Sequence, residues 1–429
     1  MNRLKALAAA LSLFGAAVAA NAQQPAPVDQ GEYLARAGDC VACHSVRGGK
    51  AFAGGLRMGT PMGVIYSTNI TPDPETGIGQ YTLEDFDRAV RSGIARDGHR
   101  LYPAMPYPSY AKISDDDLKA LYTFFMKDVP PVKQANKPNE IPWYLSPRWP
   151  LALWNAAFAP KPGYVAREGR DAAWNRGAYL VEGLGHCGAC HTPRGWAFQE
   201  KALDDSDGAY LQGAELDAWF APNLHGDTRT GIGKWSQDDI VAFLKSGHND
   251  KAVAFGSMLD VVNNSTPYLN DQDLQAMAVF LKSLPPTARE AEFTYDDSAT
   301  KTLESGQPQQ PGAAIYLGAC AACHGLDGKG QVQFMPPLAG NPVVLDANPA
   351  SLINLVLNGA DPIVVKGVPD PYRMPQFRVQ LNDEQIAQVL SFVRGAWGNG
   401  AGAVSANRVK ELRQATDPSS DRVIVLKMR

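Results

Sequence analysis

The chain has 429 residues, 45% of them hydrophobic and 20% charged, with 40 Lys and Arg against 44 Asp and Glu. That length is too great for one core and fits two or three domains, and the composition excludes both a disordered chain and a multi-pass membrane protein. A net charge of −4 without a basic stripe excludes a nucleic-acid binder.

In chain order, Arg3 and Lys5 precede an apolar run from Ala6 to Ala20 that ends in Ala20-Asn21-Ala22. The run is too short to span a bilayer and its end suits a signal peptidase, so residues 1–22 are expected to be an export signal and the mature chain to begin near Gln23. No later segment is long and apolar enough to span. Export predicts a periplasmic protein.

Six cysteines follow, in three pairs of identical spacing, each trailed by histidine: Cys40-Val41-Ala42-Cys43-His44, Cys187-Gly188-Ala189-Cys190-His191 and Cys320-Ala321-Ala322-Cys323-His324. With only 7 histidines in the chain, chance places one after all three pairs on the order of a few times in a million. Two cysteines one helical turn apart can form thioethers with the two vinyl groups of one haem, and the adjacent histidine then reaches the iron. A zinc site would need four converging ligands, and a redox dithiol has no use for the repeated histidine. The pattern therefore predicts three covalent haem c groups, which leaves no cysteine for disulfides.

A second axial ligand should lie downstream of each motif, and methionine, whose thioether favours Fe(II), is the expected type. Met105 sits in Tyr102-Pro103-Ala104-Met105-Pro106, with Met58 and Met62 as competitors; Met374 sits in Tyr372-Arg373-Met374-Pro375 and is preferred to Met335, which is too near His324 to reach the opposite face. For the second motif the candidate is Met258, which lacks a following proline, with His248 as its rival. Met126 and Met277 fall inside helical apolar patterns and are expected in the core. His99, His186 and His225 suggest no role beyond contact with water at the surface or a hydrogen bond to a propionate.

The chain repeats itself. Gly77 to Phe86 matches Gly231 to Ile240 at a constant offset, with Thr82 and Ser236 as helix N-caps and Gly93 and Gly247 as C-caps. Three further helices open at Ser114, Asn270 and Asn382, each with acids in the first turn, while Tyr33-Leu34, Tyr179-Leu180 and Ile315-Tyr316 mark the helix ahead of each motif. The expected layout is domain 1 over 23–130, a Pro- and Trp-rich linker over 131–170, domain 2 over 171–289, a flexible linker over 290–311, domain 3 over 312–398 and a tail over 399–429. Trp143, Trp149 and Trp154 make the first linker either a docking surface or packing between domains. The tail from Val423 to Arg429 suggests a short apolar strand.

The Gly38-Asp39-Cys40 and Gly185-His186-Cys187 segments, Asn69-Ile70-Thr71-Pro72-Asp73, Tyr102 to Tyr107, Thr192-Pro193-Arg194-Gly195 and Pro337 to Pro342 resemble class I c-type cytochromes, and more closely the three-haem cytochrome c subunit of bacterial membrane-bound alcohol, sugar and sugar-acid dehydrogenases. The resemblance covers almost the whole mature chain. It implies an all-α fold of three tandem class I cytochrome c domains, each with one covalent His/Met haem. It further implies a separate catalytic subunit carrying a flavin, pyrroloquinoline quinone or a molybdenum cofactor, with electrons leaving to ubiquinone or a terminal oxidase. The chain would then be a non-enzymatic subunit bound peripherally to the outer face of the cytoplasmic membrane. A free-standing electron shuttle and a multihaem peroxidase are the alternatives.

Overall fold

The computed structural model describes residues 29–331 and 335–418; the expected export signal and the Val423–Arg429 tail lie outside the described residues. One helix crossing is made three times. The leading helices Gln30–Ala37, Ala172–Ala178 and Pro311–Ala319 lie across the closing helices Asp115–Lys127, Asp271–Ser283 and Asp383–Gly395, respectively. The approach is too close for a side chain: a Cβ would stand 2.4 Å from the Ala120 carbonyl oxygen at Gly31, 2.0 Å from that of Ala276 at Gly177 and 2.1 Å from that of Gln388 at Gly312. The same three atoms would lie 2.5, 2.8 and 2.9 Å from the Cβ of Phe124, Phe280 and Phe392. A glycine packed over an aromatic residue thus fixes where each pair of helices crosses.

Each leading helix runs directly into a cysteine motif. Gly31 precedes Cys40 by nine positions and Gly177 precedes Cys187 by ten. The additional residue is absorbed by a turn of π-helix, Tyr179–Leu184, so both copies enter the motif in the same conformation, with Asp39 (φ 48°) and His186 (φ 37°) left-handed just before the first cysteine. Downstream, Leu83–Ser92 and Gln237–Ser246 are helices capped at Thr82 and Ser236 and terminated by left-handed Gly93 and Gly247, as the repeat predicts.

The chain is predominantly helical but not all-α. Three two-stranded antiparallel hairpins are present among the described residues, pairing Arg57–Thr60 with Gly63–Tyr66, Ala214–Leu216 with Trp219–Ala221, and Val364–Val365 with Val368–Pro369. Strands of two to four residues are too short to carry an alternating pattern, which is why the sequence did not show them.

The buried residues of the first two repeats form one continuous core, running from Leu34 and Phe125 to Trp174, Leu180 and Phe280. The third repeat has its own, around Tyr316, Ile353, Leu390 and Trp397. It joins the second repeat through Ile363, packed against Ala254, Leu259 and Val262, and through Phe220, which reaches into the third core. The stretch expected to be a flexible linker carries the helix Ser298–Glu304, whose Leu303 is buried in that core, and Glu290 accepts hydrogen bonds from the Arg229 and Thr230 amides. Polar composition had concealed a segment held by backbone partners.

The Trp-rich linker divides. Trp154 donates to the Ala197 carbonyl at 2.9 Å and packs on Tyr107, whereas Trp143 and Trp149 are 84% and 70% exposed. Met277 is buried and Met126 half-buried against the shared core, as expected.

Gly177→Ala should destabilise the protein by about 2–3 kcal/mol, because the methyl group must displace backbone. Gly208→Ala, with open space around it, should change stability by less than about 0.5 kcal/mol. Denaturant midpoints of the two variants test the difference.

Candidate haem-attachment sites

In each repeat the two cysteines of the motif face one side of a single helical turn, and the histidine closes it. No two of the six cysteines are joined as a disulfide. Burial pushes Cys40, Cys43 and Cys187 up to about 12 and Cys190 and Cys320 up to about 11. These are not the low-pKa thiolates of a redox dithiol.

Two of the three motif histidines are held by the backbone. His44 Nδ1 is 2.7 Å from the Thr68 carbonyl and His191 Nδ1 is 2.7 Å from the Pro222 carbonyl, so each ring donates from Nδ1 and leaves Nε2 as a lone-pair donor. His324 Nδ1 is buried near the Pro336 carbonyl but outside hydrogen-bond geometry. Burial lowers the pKa of all three rings, which keeps them neutral, the form that binds a metal. The carbonyl partners went unrecognised in the sequence because Thr68 and Pro222 carry no side-chain signal; the backbone is the acceptor.

Around the second motif a large apolar cavity opens, lined by Cys187, Cys190, His191, Trp219 and Met258. Ala37 and Asp39 of the first repeat and Asn341, Pro342 and Val343 of the third also line it. Met258 therefore shares a cavity with His191, at the start of the helix Met258–Asn264 rather than in a proline loop. Its rival His248 is not among the lining residues; it pairs with Val253, which is, and its Nε2 is 3.9 Å from Asp370. Met105 packs on the core that carries Cys40, and Met374 on the core that carries Cys320. Met58 is buried in its hairpin and Met62 is exposed at the turn. A cavity walled by hydrocarbon, with two thiols and a neutral imidazole on its rim, fits a covalently attached porphyrin.

His225 is buried, held between the Pro285 and Tyr210 carbonyls, and His186 is half-buried, packed edge-on to Tyr110 at 5.5 Å. His99 is exposed and bonds Asp97.

Three Cys-x-x-Cys-His turns of this kind, providing up to three covalent haem c sites on a largely helical frame, define a c-type cytochrome. The cytochrome c family model matches residues 28–127 and 309–397. The chain is 53% identical to the gluconate 2-dehydrogenase cytochrome c subunit of Pantoea cypripedii, over 93% of this chain and 92% of that one. It is 49% identical to the cytochrome c subunit of the quinone alcohol dehydrogenase of Gluconobacter oxydans, over 96% and 88%, and 39% identical to the fructose dehydrogenase cytochrome subunit of Gluconobacter japonicus, over 95% and 88%. The chain belongs to this family, the electron-carrying cytochrome c subunits of bacterial membrane-associated dehydrogenases. No helix among the described residues is long and apolar enough to cross a membrane.

Beside the second motif Glu200 is buried, 3.8 Å from Arg194, with one carboxylate oxygen unpartnered. Burial raises its pKa from 4.5 to about 7, against the opposing pull of Arg194 and Lys112. The folded chain thus holds a proton that the unfolded chain releases, so this group's stabilising contribution is full below pH 4.5 and is lost as pH rises through 7. Glu200→Gln should flatten that slope and raise stability at neutral pH by on the order of 1–2 kcal/mol, read from denaturant midpoints at acid and neutral pH.

Proposed function

We propose that the chain carries three covalent haem c groups, one in each of the units 23–130, 171–289 and 312–398, and passes electrons from a dehydrogenase catalytic subunit to ubiquinone. Cys40, Cys43, Cys187, Cys190, Cys320 and Cys323 would make the thioethers, with His44 and Met105, His191 and Met258, and His324 and Met374 as axial pairs. The observation that carries this reading is the second cavity, where Cys187, Cys190, His191 and Met258 line one apolar space while the Pro222 carbonyl holds the imidazole by its other nitrogen. Bound at these sites, haem supplies a one-electron carrier. The residues around it would exclude water, keep each histidine neutral and, at His44 and His191, hold the ring by Nδ1, and the apolar walls would disfavour added positive charge.

The partner reading rests on relatives whose names join them to gluconate, alcohol and fructose oxidation. The catalytic subunit would accept an alcohol, sugar or sugar acid and carry a flavin, quinone or molybdenum cofactor. Residues 1–22 would direct export, and the mature subunit would act at the periplasmic face of the cytoplasmic membrane.

Affinity purification from native membranes in mild detergent should recover a dehydrogenase with the cytochrome, and addition of that enzyme's substrate should reduce the haems. Recovery of the cytochrome alone, with no reduction by alcohols, sugars or sugar acids, would sink the partner reading. Met258→Ala should retain three haems by mass and lower the midpoint potential of one haem while the other two hold theirs; potentiometric titration checks this.

A further inference from the structure

The first two repeats grip each other twice, by the same device. The Tyr33 hydroxyl, two residues after Gly31, donates to Asp273 Oδ2 at 2.6 Å and accepts the Asn270 amide at 3.3 Å. The Tyr179 hydroxyl, two residues after Gly177, donates to Asp117 Oδ2 at 2.6 Å and accepts the Ser114 amide at 3.2 Å. Tyr33 lies in the first leading helix and Tyr179 opens the π-helical turn that continues the second, each two residues after the crossing glycine. Asp117 and Asp273 are each the third residue of a closing helix, and Ser114 and Asn270 are the N-caps of those helices. Each repeat therefore inserts a tyrosine between the cap amide and the third-position carboxylate of the other.

In an unassisted helix those two groups bond each other directly, as a capping box. The closing helix of the third repeat does so, with the Asn382 amide donating to Gln385, and there the residue two after Gly312 is Ala314, which has no hydroxyl to insert. The exchanged tyrosine is thus specific to the first two repeats.

Neighbouring contacts obey the same two-fold relation. Lys112 pairs with Glu182 at 2.9 Å, and at the equivalent place Tyr268 lies under the Arg36 guanidinium at 4.4 Å. The leading helices that carry the two tyrosines end at the first and second cysteine motifs. There the repeats remain in close quarters: Asp39 lines the second cavity and His186 packs on Tyr110.

We infer that Tyr33 and Tyr179 are positioning residues that hold the first two repeats as a two-fold pair and so set the separation of their haem sites and the electron transfer between them. The inference rests on the proposed haem occupancy of the first and second motifs. Loss of either hydroxyl removes the donor and the acceptor that join one repeat's leading segment to the other's closing helix, and so releases the register between the repeats, while Asp273 stays paired with Arg176 of its own repeat. The third site, built on a separate core, is not under this control.

The test compares the full-length holoprotein with its Tyr33→Phe/Tyr179→Phe form. Haem-peptide mass spectrometry first establishes occupancy of all three motifs. Pulsed magnetic resonance then reads the coupling of the first and second haems, and flash reduction reads electron equilibration between them. The double variant should retain three haems and unchanged midpoint potentials, show a broadened coupling between these two haems, and equilibrate more slowly. Tyr122→Phe, which loses a 3.0 Å bond to the Tyr81 carbonyl within the first repeat, should leave both readouts unchanged. Unaltered coupling and rate in the double variant would overturn the inference, even if stability falls. Should that variant fail to fold, Tyr33→Phe and Tyr179→Phe singly, each leaving one of the two grips in place, carry the same test, with broadening expected and an unchanged signal overturning it. Absence of haem from the first or second motif of the unmodified chain would overturn the occupancy reading itself and this inference with it.

Discussion

The structure depends on a helix crossing that tolerates no Cβ. At Gly31, Gly177 and Gly312 the backbone of a leading helix rests on the carbonyl and aromatic residue of a closing helix, and any side chain would force the two apart. Because the leading helix runs straight into the cysteine motif, the crossing also sets where the thiols and histidine stand. The second repeat shows how strictly this is kept. It has one residue more between glycine and cysteine than the first, and it accommodates that residue in a turn of π-helix rather than by shifting the crossing. Local helix geometry yields before the packing does, since a π-turn costs less than opening a core.

The three sites are built alike but are not equal. The first two imidazoles are tied to backbone carbonyls, whereas His324 Nδ1 has no partner in hydrogen-bond geometry and Cys323 is exposed. An imidazole held by a hydrogen bond at Nδ1 is a more basic ligand than one without it, and an exposed site has a higher local dielectric; both differences act on the stability of a positively charged metal centre. The second site is enclosed by residues from all three repeats. Its environment is a property of the assembled chain and not of one repeat.

The asymmetry of the molecule has a physical origin in what covers each face. The third repeat packs Ile363 against the second, close to Gly247, while the equivalent glycine of the first repeat, Gly93, meets Tyr107, whose hydroxyl bonds Asn155 of the Trp-rich linker. A linker helix thus occupies on the first repeat the region that a whole repeat occupies on the second. Trp154 is used in that packing, and Trp143 and Trp149 are left outside it.

The sequence by itself determined the chemistry and the local structure. Three Cys-x-x-Cys-His motifs, the caps at Thr82 and Ser236 and the terminal glycines are all short-range signals, and each depends only on residues within a turn or two of one another. The tertiary structure alone decided the rest: that two repeats share one core, that Met258 shares a cavity with His191, that Thr68 and Pro222 orient the imidazoles, and that the segment before the third repeat is held rather than loose. Backbone carbonyls have no side-chain identity to recognise. The exchange of Tyr33 and Tyr179 was present as a letter difference among the repeats, tyrosine twice and Ala314 once, but its meaning required knowing which helix end each hydroxyl meets. Contacts between residues hundreds of positions apart are selected by how surfaces fit once the helices exist, and a one-dimensional pattern does not encode that fit.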